Sequence, residues 1–143
     1  MIKSYRINFN STPSLVSLLE LIKPVTWFPP MWAFLCGVVS VGALNSDNIL
    51  LILSGLILAG PLVCGMSQAV NDWCDRHVDA INQPERPIPS GRVPAGWGFF
   101  TGITMSVISI LFAYHLGNLI LFATIAGILA AWLYSLEPIR LKR

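Results

Sequence analysis

The chain alternates between long apolar runs and shorter polar breaks. The break at 45–48 and the break at 115–117 are short enough to be tight turns, whereas 71–94 is a longer polar segment rich in charge and proline. Apolar runs of this kind predict membrane-spanning helices. We therefore predict an all-α membrane protein whose four transmembrane helices form two hairpins. The predicted helices cover residues 30–44, 49–70, 95–114 and 118–134.

The composition supports a membrane protein. Hydrophobic residues make up 55% of the 143-residue chain and charged residues 11%, with a mean hydropathy of +0.68, whereas soluble domains carry about 25% charged residues. The cysteines are odd in number, which argues against a disulfide framework. A net charge of +2 with scattered basic residues gives no reason to expect nucleic acid as a partner. We expect a single transmembrane helical domain over 1–143, in contact with the lipid bilayer.

The basic residues lie at only one end of the predicted bundle. An even number of crossings places the N-terminal segment, residues 71–94 and the C-terminal tail on the same side. All nine lysines and arginines fall in these three regions, and the positive-inside rule assigns such a side to the cytoplasm. We therefore expect a multi-pass protein with both termini and segment 71–94 in the cytoplasm. The nine residues are Lys3, Arg6, Lys23, Arg76, Arg86, Arg92, Arg140, Lys142 and Arg143.

An acidic stretch follows the second predicted helix. Asp72, Asp75 and Asp79 lie here beside Asn71, and they are three of the seven acidic residues in the chain. If the helix continues, 100° per residue places the three carboxylates within about 60° of one another. Like charges at this spacing destabilise a helix, so a cation is expected between them. Carboxylate and amide oxygens suit Mg²⁺, which we expect ahead of Ca²⁺ if phosphates share the ion.

Two other interpretations of the acidic stretch are compatible with its residues. In the first, Arg76 pairs with Asp72 or Asp79 and the stretch is a solvated polar surface, because such ion pairs are common. In the second, Cys74 and His77 belong to a zinc site, although they are only half of the usual ligand set. The concentration of acids in a chain with so little charge favours a functional site.

Residues 80–94 contain four prolines, which predict a stiff, extended loop rather than a helix. Such a loop would hold Arg86 and Arg92 at fixed distances from the acidic stretch. Guanidinium groups suit bidentate contacts with phosphate oxygens, so we expect Arg86 to bind phosphate. For Arg92, a role as a positive-inside anchor is an equal alternative. Metal-bridged phosphate at a membrane surface indicates a substrate with a diphosphate head and an apolar tail.

The acidic stretch resembles the first aspartate-rich motif of the UbiA superfamily of intramembrane prenyltransferases. Within that superfamily, residues 21–34 and Trp73 are most similar to chlorophyll and bacteriochlorophyll synthases, in many of which a tyrosine stands at the position of Cys74. The resemblance covers nearly all of the chain and implies the N-terminal part of a nine-helix bundle. The matching motif is Asn71-Asp72-x-x-Asp75-x-x-x-Asp79, followed by Arg86-Pro87-Ile88-Pro89-Ser90-Gly91.

This resemblance implies an enzyme of chlorophyll or bacteriochlorophyll synthesis in a photosynthetic membrane. The reaction would be Mg²⁺-dependent transfer of a phytyl or geranylgeranyl group from its diphosphate to a chlorophyllide or bacteriochlorophyllide. By the same resemblance, Asp72, Asp75 and Asp79 would take part in catalysis. The metal ligands would be Asn71, Asp72, Asp75 and Asp79, and the substrate-binding residues Asn71, Arg86, Arg92 and Lys23.

Members of the superfamily have about nine transmembrane helices and a second aspartate-rich motif, whereas four helices are predicted here. We therefore expect the chain to be incomplete, to need a missing C-terminal half and to show little transfer activity alone. The alternative function is a truncated, non-catalytic membrane subunit associated with a photosynthetic pigment–protein complex. In that case several glycines would be packing surfaces with no partner from the chain itself. These are Gly55, Gly60, Gly102 and Gly127.

Overall fold

The structure is a computed structural model that describes Phe9 and residues 11–136. All regular elements in this part of the chain are helical. The predicted basic tail at 137–143, together with Lys3 and Arg6, lies outside the described residues. The elements are α1 (Leu15–Ile22), a 3₁₀ turn (Pro24–Trp27), α2 (Phe28–Ser40), a 3₁₀ turn (Ser46–Asn48), α3 (Ile49–Ile57), a π-helical segment (Leu58–Cys64), α4 (Gly65–Asn82), α5 (Ala95–Leu116) and α6 (Asn118–Ser135).

Within the described residues, three continuous helices are long and apolar enough to cross a membrane. They are Ser46–Asn82, Ala95–Leu116 and Asn118–Ser135. The apolar run predicted at 30–44 forms α2, whose 13 residues span only about 20 Å at 1.5 Å per residue. The hydrocarbon core of a bilayer is about 30 Å thick. Helix α2 packs beside α3, and α5 packs beside α6, which gives the two predicted hairpins.

Helix α2 stops earlier than the apolar run does. It ends at Ser40, because Gly42 adopts a left-handed backbone conformation with φ of 67°. The amide of Gly42 donates to the carbonyl of Val39, and the amide of Ala43 donates to that of Val38, each at 3.0 Å. This pair of bonds is a Schellman termination. Residues 41–44, which were predicted as helix, are therefore part of the turn.

Helices α3 and α4 form one helical unit that continues past the apolar run. Pro61 lies inside the π-helical segment between them. A proline has no amide hydrogen and its ring clashes with the carbonyl four residues earlier, so the wider π turn accommodates it. The helix ends only at Asn82. The first half of the polar segment 71–94 is therefore helical, which meets the condition under which the acidic residues were expected to share a face.

Residues 83–94, the proline segment, fold as compact turns and not as the extended loop that was predicted. The amide of Ser90 donates to the carbonyl of Arg86 at 3.0 Å, and that of Val93 to Pro87 at 2.8 Å. A fixed proline φ near −65° suits such turns as well as an extended chain. Ile88 and Val93 are buried against residues of α1 and α4. Apolar packing therefore folds the segment onto the end of the bundle.

Three of the four glycines expected to lack partners are covered by the chain itself, so that expectation was wrong for them. A Cβ atom on Gly102 would lie 2.9 Å from Val70 Cγ2, because α5 packs closely against α4. Side chains lie closer still at Gly55 and Gly60, whereas the nearest side-chain atom at Gly127 is 4.0 Å away. The neighbouring side chains are Phe34 at Gly55, Met31 at Gly60, Val70 at Gly102 and Val63 at Gly127.

Candidate functional site

Helix α4 carries the acidic stretch at the end of the bundle where α1 and the proline segment meet. Asp72 and Asp79 are buried, with 1% and 6% of their surfaces exposed. They are seven residues apart, which is close to two helical turns, so their side chains lie on one face. Asn71 and Asp75 are half-buried and belong to the same stretch of helix. The helical continuation therefore places Asp72 and Asp79 on one buried face, and convergence of all three acids stays a prediction.

Two cations meet the buried carboxylates. Lys23 Nζ donates to Asp72 Oδ1 at 2.7 Å. Arg86 Nη1 donates to Asp72 Oδ1 at 3.2 Å and to Asp79 Oδ2 at 2.7 Å. We call Lys23, Asp72, Asp79 and Arg86 the charge cluster. Because a buried carboxylate is costly without a partner, these contacts explain how α4 tolerates two acids on one buried face.

Arg76 does not pair with Asp72 or Asp79, so the interpretation in which Arg76 neutralises one of these acids is wrong. Its guanidinium carbon lies 4.7 Å from the centre of the Trp73 ring, and Nη1 donates to the Trp73 carbonyl at 2.5 Å. The ion pairs of the two acids are made by Lys23 and Arg86 instead.

One carboxylate oxygen of the charge cluster has no partner. Asp72 Oδ2 is buried and makes no hydrogen bond, which is uncommon and calls for an explanation in a folded protein. A hard oxygen donor of this kind fits Mg²⁺. Within the described residues, however, no group of three or more Asp, Glu, His or Cys side chains could hold a metal ion. The described part of the chain therefore offers some of a magnesium ligand set, and it offers no zinc site.

The backbone of Lys23 is strained. Its φ of 47° and ψ of 72° are left-handed, and it is the one non-glycine residue with positive φ among those described. The residue ends α1, with its amide donating to the Leu19 carbonyl at 3.1 Å, and Pro24 follows immediately. A left-handed conformation costs an L-residue about 1–2 kcal/mol. Strained residues are concentrated at functional sites, and here the strain accompanies an ion pair with Asp72.

Arg92 is not part of the charge cluster. Its guanidinium makes two contacts with the Glu20 carboxylate in α1, one of them at 2.8 Å, and donates to the Glu85 carbonyl at 2.7 Å. The hydrogen bond from Arg92 lowers the pKa of Glu20 below its usual value. The pair therefore fastens the proline segment to α1. Phosphate binding by Arg92 stays a prediction, and it would require release of Glu20.

Aromatic side chains from three helices continue from the acidic stretch into the bundle. The Trp73 ring lies 4.8 Å from Phe99, and Phe99 lies 6.2 Å from Trp132. Trp132 Nε1 donates to Ser106 Oγ at 3.2 Å, while the buried Trp73 Nε1 has no partner. The sequence indicated Trp73 through the family resemblance alone. Phe99 and Trp132 were missed, because residues from separate helices meet only in the folded bundle.

An apolar cavity of about 520 Å³ lies between α2, α3 and α6. It extends from the middle of the bundle to the turns opposite the charge cluster. Val63, in its wall, precedes Asp72 by nine residues, which is about 13 Å along a helix. The volume falls within the range of ligand pockets, about 300–1,000 Å³. Other residues of the wall are Phe34, Leu51, Ile52, Ile120 and Thr124.

The UbiA prenyltransferase family matches residues 25–143, and the chain belongs to this family. The match includes all of the charge cluster except Lys23. Together with the helical structure and its three long apolar helices, it identifies an integral membrane protein built as a helical bundle. The resemblance inferred from the acidic stretch is therefore confirmed.

Among curated proteins, the chain is 59% identical over 133 residues to the bacteriochlorophyll synthase 33 kDa chain of Cereibacter sphaeroides, which covers 93% of this chain and 44% of that relative. It is 46% identical to the bacteriochlorophyll synthase 34 kDa chain of Chloroflexus aurantiacus, over 90% of this chain and 42% of the relative. It is 34% identical to the chloroplastic chlorophyll synthase of Oryza sativa subsp. japonica, over 87% of this chain and 36% of the relative. The chain thus spans less than half the length of these relatives. No solved structure matches it significantly.

Proposed function

We propose that the chain forms the diphosphate-binding part of a prenyltransferase that makes chlorophyll or bacteriochlorophyll. A phytyl or geranylgeranyl group would pass from its diphosphate to the propionate carboxylate of a chlorophyllide or bacteriochlorophyllide. The bond from the allylic carbon to the diphosphate oxygen breaks, and a bond to the carboxylate oxygen forms. The names of the relatives support the choice of pigment. The observation that carries the proposal is the charge cluster, with its buried acids and their two cations at one end of an apolar bundle.

In this proposal each polar residue of the site binds or orients the diphosphate. When bound, Mg²⁺ stabilises the charge that develops on the departing diphosphate. Arg86 and Lys23 donate hydrogen bonds to phosphate oxygens, since guanidinium and ammonium groups bind phosphate well. The apolar helices keep water away from the electrophilic carbon, so that the pigment carboxylate attacks it instead. The residues that would hold Mg²⁺ are Asn71, Asp72, Asp75 and Asp79.

We further infer that the remaining metal ligands come from a part of the protein that corresponds to the C-terminal half of the relatives. Within the described residues no three such ligands converge, which supports this inference. The chain alone is then expected to have little or no activity. The alternative role as a structural subunit of a pigment–protein complex has less support, because three of the four glycines that would have been open, Gly55, Gly60 and Gly102, are covered by their own chain.

The charge cluster is proposed to lie on the cytoplasmic side of the membrane, together with both termini. Lys23, Arg76, Arg86 and Arg92 belong to the segments that meet at this end. The turns at the opposite end, residues 41–48 and Gly117, contain no lysine or arginine. The positive-inside rule therefore favours this orientation.

The function is tested by pigment esterification in membranes that contain the chain and the C-terminal half of the Cereibacter sphaeroides relative. Mg²⁺, geranylgeranyl diphosphate and bacteriochlorophyllide are supplied. We expect Asp72→Asn to lower the rate about 100- to 1,000-fold, because a buried residue proposed to hold Mg²⁺ loses its charge. Asp47→Asn, an acid in the opposite turn, is the matched control and should leave the rate unchanged.

Other results would contradict the proposal in different ways. Equal rates for Asp72→Asn and the unchanged chain would exclude Asp72 from the reaction. Esterification by the chain alone, lost in Asp72→Asn, would support the reaction and contradict the need for a second half. If neither the chain alone nor the chain with the C-terminal half of the relative forms esterified pigment, the proposed function as a whole is contradicted.

A further inference from the structure

A guanidinium group lies between the two carboxylates that are proposed to bind a divalent ion. One atom, Arg86 Nη1, contacts both Asp72 Oδ1 and Asp79 Oδ2, at 3.2 and 2.7 Å. Asp72 is 1% exposed and Asp79 6% exposed, so solvent screens these contacts little. The positive charge of Arg86 thus occupies the position that the helical spacing of the acids leaves for a cation.

We propose that Arg86 is a displaceable counter-ion. It bridges Asp72 and Asp79 while no divalent ion is bound, and it leaves both carboxylates and turns to the phosphate oxygens when the ion and the diphosphate bind. This inference rests on the proposed function, and it adds that one arginine competes with the metal before binding and anchors the diphosphate afterwards.

The contacts of the cluster give the exchange an order. Asp72 Oδ2 is buried and has no hydrogen-bond partner, so an ion can bind it without breaking a hydrogen bond. Asp79 Oδ2 becomes available only when Arg86 leaves it. A divalent ion bound to both carboxylates would also repel a guanidinium that stayed between them. Entry of the ion therefore begins at Asp72 and is completed by movement of Arg86.

Lys23 and Arg86 differ in their freedom to move. Lys23 follows α1 directly, and within the described part of the chain its ammonium group pairs with Asp72 and with no other carboxylate, so it can orient Asp72 before and after the exchange. Arg86 lies on the proline segment, which Glu20 and Arg92 fasten to α1, and 23% of its side chain is exposed. The exchange is therefore assigned to the Arg86 side chain and not to its backbone.

The exchange couples the two ligands. In this scheme the ion binds only those molecules in which Arg86 has left the two acids. Its apparent dissociation constant is therefore the intrinsic constant divided by the fraction of such molecules. Diphosphate offers Arg86 another anion and so increases that fraction. Ion and diphosphate should then strengthen each other's binding, and the effect must be equal in both directions.

The test measures Mn²⁺ binding to the full chain in nanodiscs, with the electron paramagnetic resonance signal of free Mn²⁺ as the readout. We expect Arg86→Gln to bind Mn²⁺ about tenfold more tightly than the unchanged chain, since it removes charge-assisted hydrogen bonds that compete with the ion. The matched control is Arg92→Gln, which removes the same charge from the same segment but from a contact with Glu20. Its Mn²⁺ affinity should stay within about twofold of the unchanged chain, because screening weakens a distant exposed charge.

Inorganic pyrophosphate is then added, with its own binding of Mn²⁺ in solution subtracted. It should strengthen Mn²⁺ binding to the unchanged chain, and it should have a smaller effect on Arg86→Gln, in which only direct contact of the ion with phosphate oxygens remains. Arg86→Lys keeps the charge without the guanidinium fork and should give an intermediate affinity. Circular dichroism of each variant shows whether it is folded, and Arg86→Lys replaces Arg86→Gln if the latter is not.

Three outcomes would overturn the proposal. If Arg86→Gln binds Mn²⁺ no more tightly than the unchanged chain, Arg86 does not compete with the ion, and the proposed function still stands. If Arg86→Gln and Arg92→Gln tighten binding equally, the effect is one of general charge. If none of the variants binds Mn²⁺, the exchange fails, and so does the inference that this chain supplies metal ligands. The esterification experiment with Asp72→Asn then decides the function separately.

Discussion

Lys23 combines a strained backbone with an ion pair to a buried carboxylate. Its left-handed backbone would suit glycine, which adopts positive φ without steric cost. A glycine there would leave the buried Asp72 with Arg86 as its remaining cation. Since half-satisfied buried charges are strongly destabilising, the ion pair explains why a lysine occupies a position with glycine-like geometry.

Replacement of Lys23 separates these two contributions. Lys23→Ala and Lys23→Gly both lose the ion pair, which should lower the unfolding free energy by about 1–3 kcal/mol. The alanine variant keeps the left-handed strain, so we expect it to be about 1 kcal/mol less stable than the glycine variant. The difference in unfolding free energy between the two variants is measured by unfolding in mixed detergent micelles, with circular dichroism as the readout. Equal stabilities would show that the Lys23 backbone stores no strain.

The sequence predicted the acids of the site better than their partners. Asp72 and Asp79 share a face because the angle per residue of a helix is fixed, so spacing alone was sufficient. Their cations were not predictable in this way. Lys23 is 49 residues from Asp72, and Arg86 reaches both acids only because the proline segment folds into turns. Contacts of this kind depend on tertiary packing, which no local pattern encodes.

At the scale of elements, the sequence predicted where the helices lie better than it predicted where α2 and α4 end. The pattern of apolar runs located α5 and α6 to within two residues. It did not locate the end of α2, because Gly42 ends the helix inside an apolar run through its backbone conformation. It also placed the end of α4 too early, since the polar residues 71–82 continue the helix with their own packing against α5 and the proline segment.

The contact between α1 and the proline segment should depend on pH. Arg92 lowers the pKa of Glu20 below its ordinary value of 4.5. A group whose pKa is lower in the folded state stabilises the fold above its unfolded pKa and loses that contribution as pH falls through the folded pKa. Amide protection of residues 84–94, measured by hydrogen exchange and corrected for intrinsic rates, should therefore decrease below about pH 4.5.

Two variants check the origin of this pH dependence. Glu20→Gln removes the titrating group, so protection of residues 84–94 should be low at every pH and should no longer change with it. Glu85→Gln is the matched control, because Arg92 contacts the main-chain carbonyl of Glu85. It should keep the pH profile of the unchanged chain. A profile that Glu20→Gln leaves intact would mean that another group titrates.

At the scale of the whole molecule, the charge cluster and the apolar cavity lie toward opposite ends of the bundle. The charge cluster is held where α1, α4 and the proline segment meet, whereas the cavity lies between α2, α3 and α6 toward the opposite turns. The chain spans less than half of its relatives. The proposed orientation places the charged end in the cytoplasm, where a water-soluble diphosphate head can reach it while its apolar tail stays within the membrane.

Cysteine labelling tests this orientation in a variant whose three native cysteines, Cys36, Cys64 and Cys74, are replaced by alanine. Glu85→Cys lies in the proline segment and Asp47→Cys in the opposite turn, and both positions are exposed. In right-side-out membranes, we expect a membrane-impermeant maleimide to label Asp47→Cys alone, and in inverted vesicles Glu85→Cys alone. Labelling of both from one side would show that the helix Ser46–Asn82, which separates the two positions, does not cross the bilayer. The reverse pattern would mean that this helix crosses the bilayer but the basic end faces away from the cytoplasm, against the positive-inside rule.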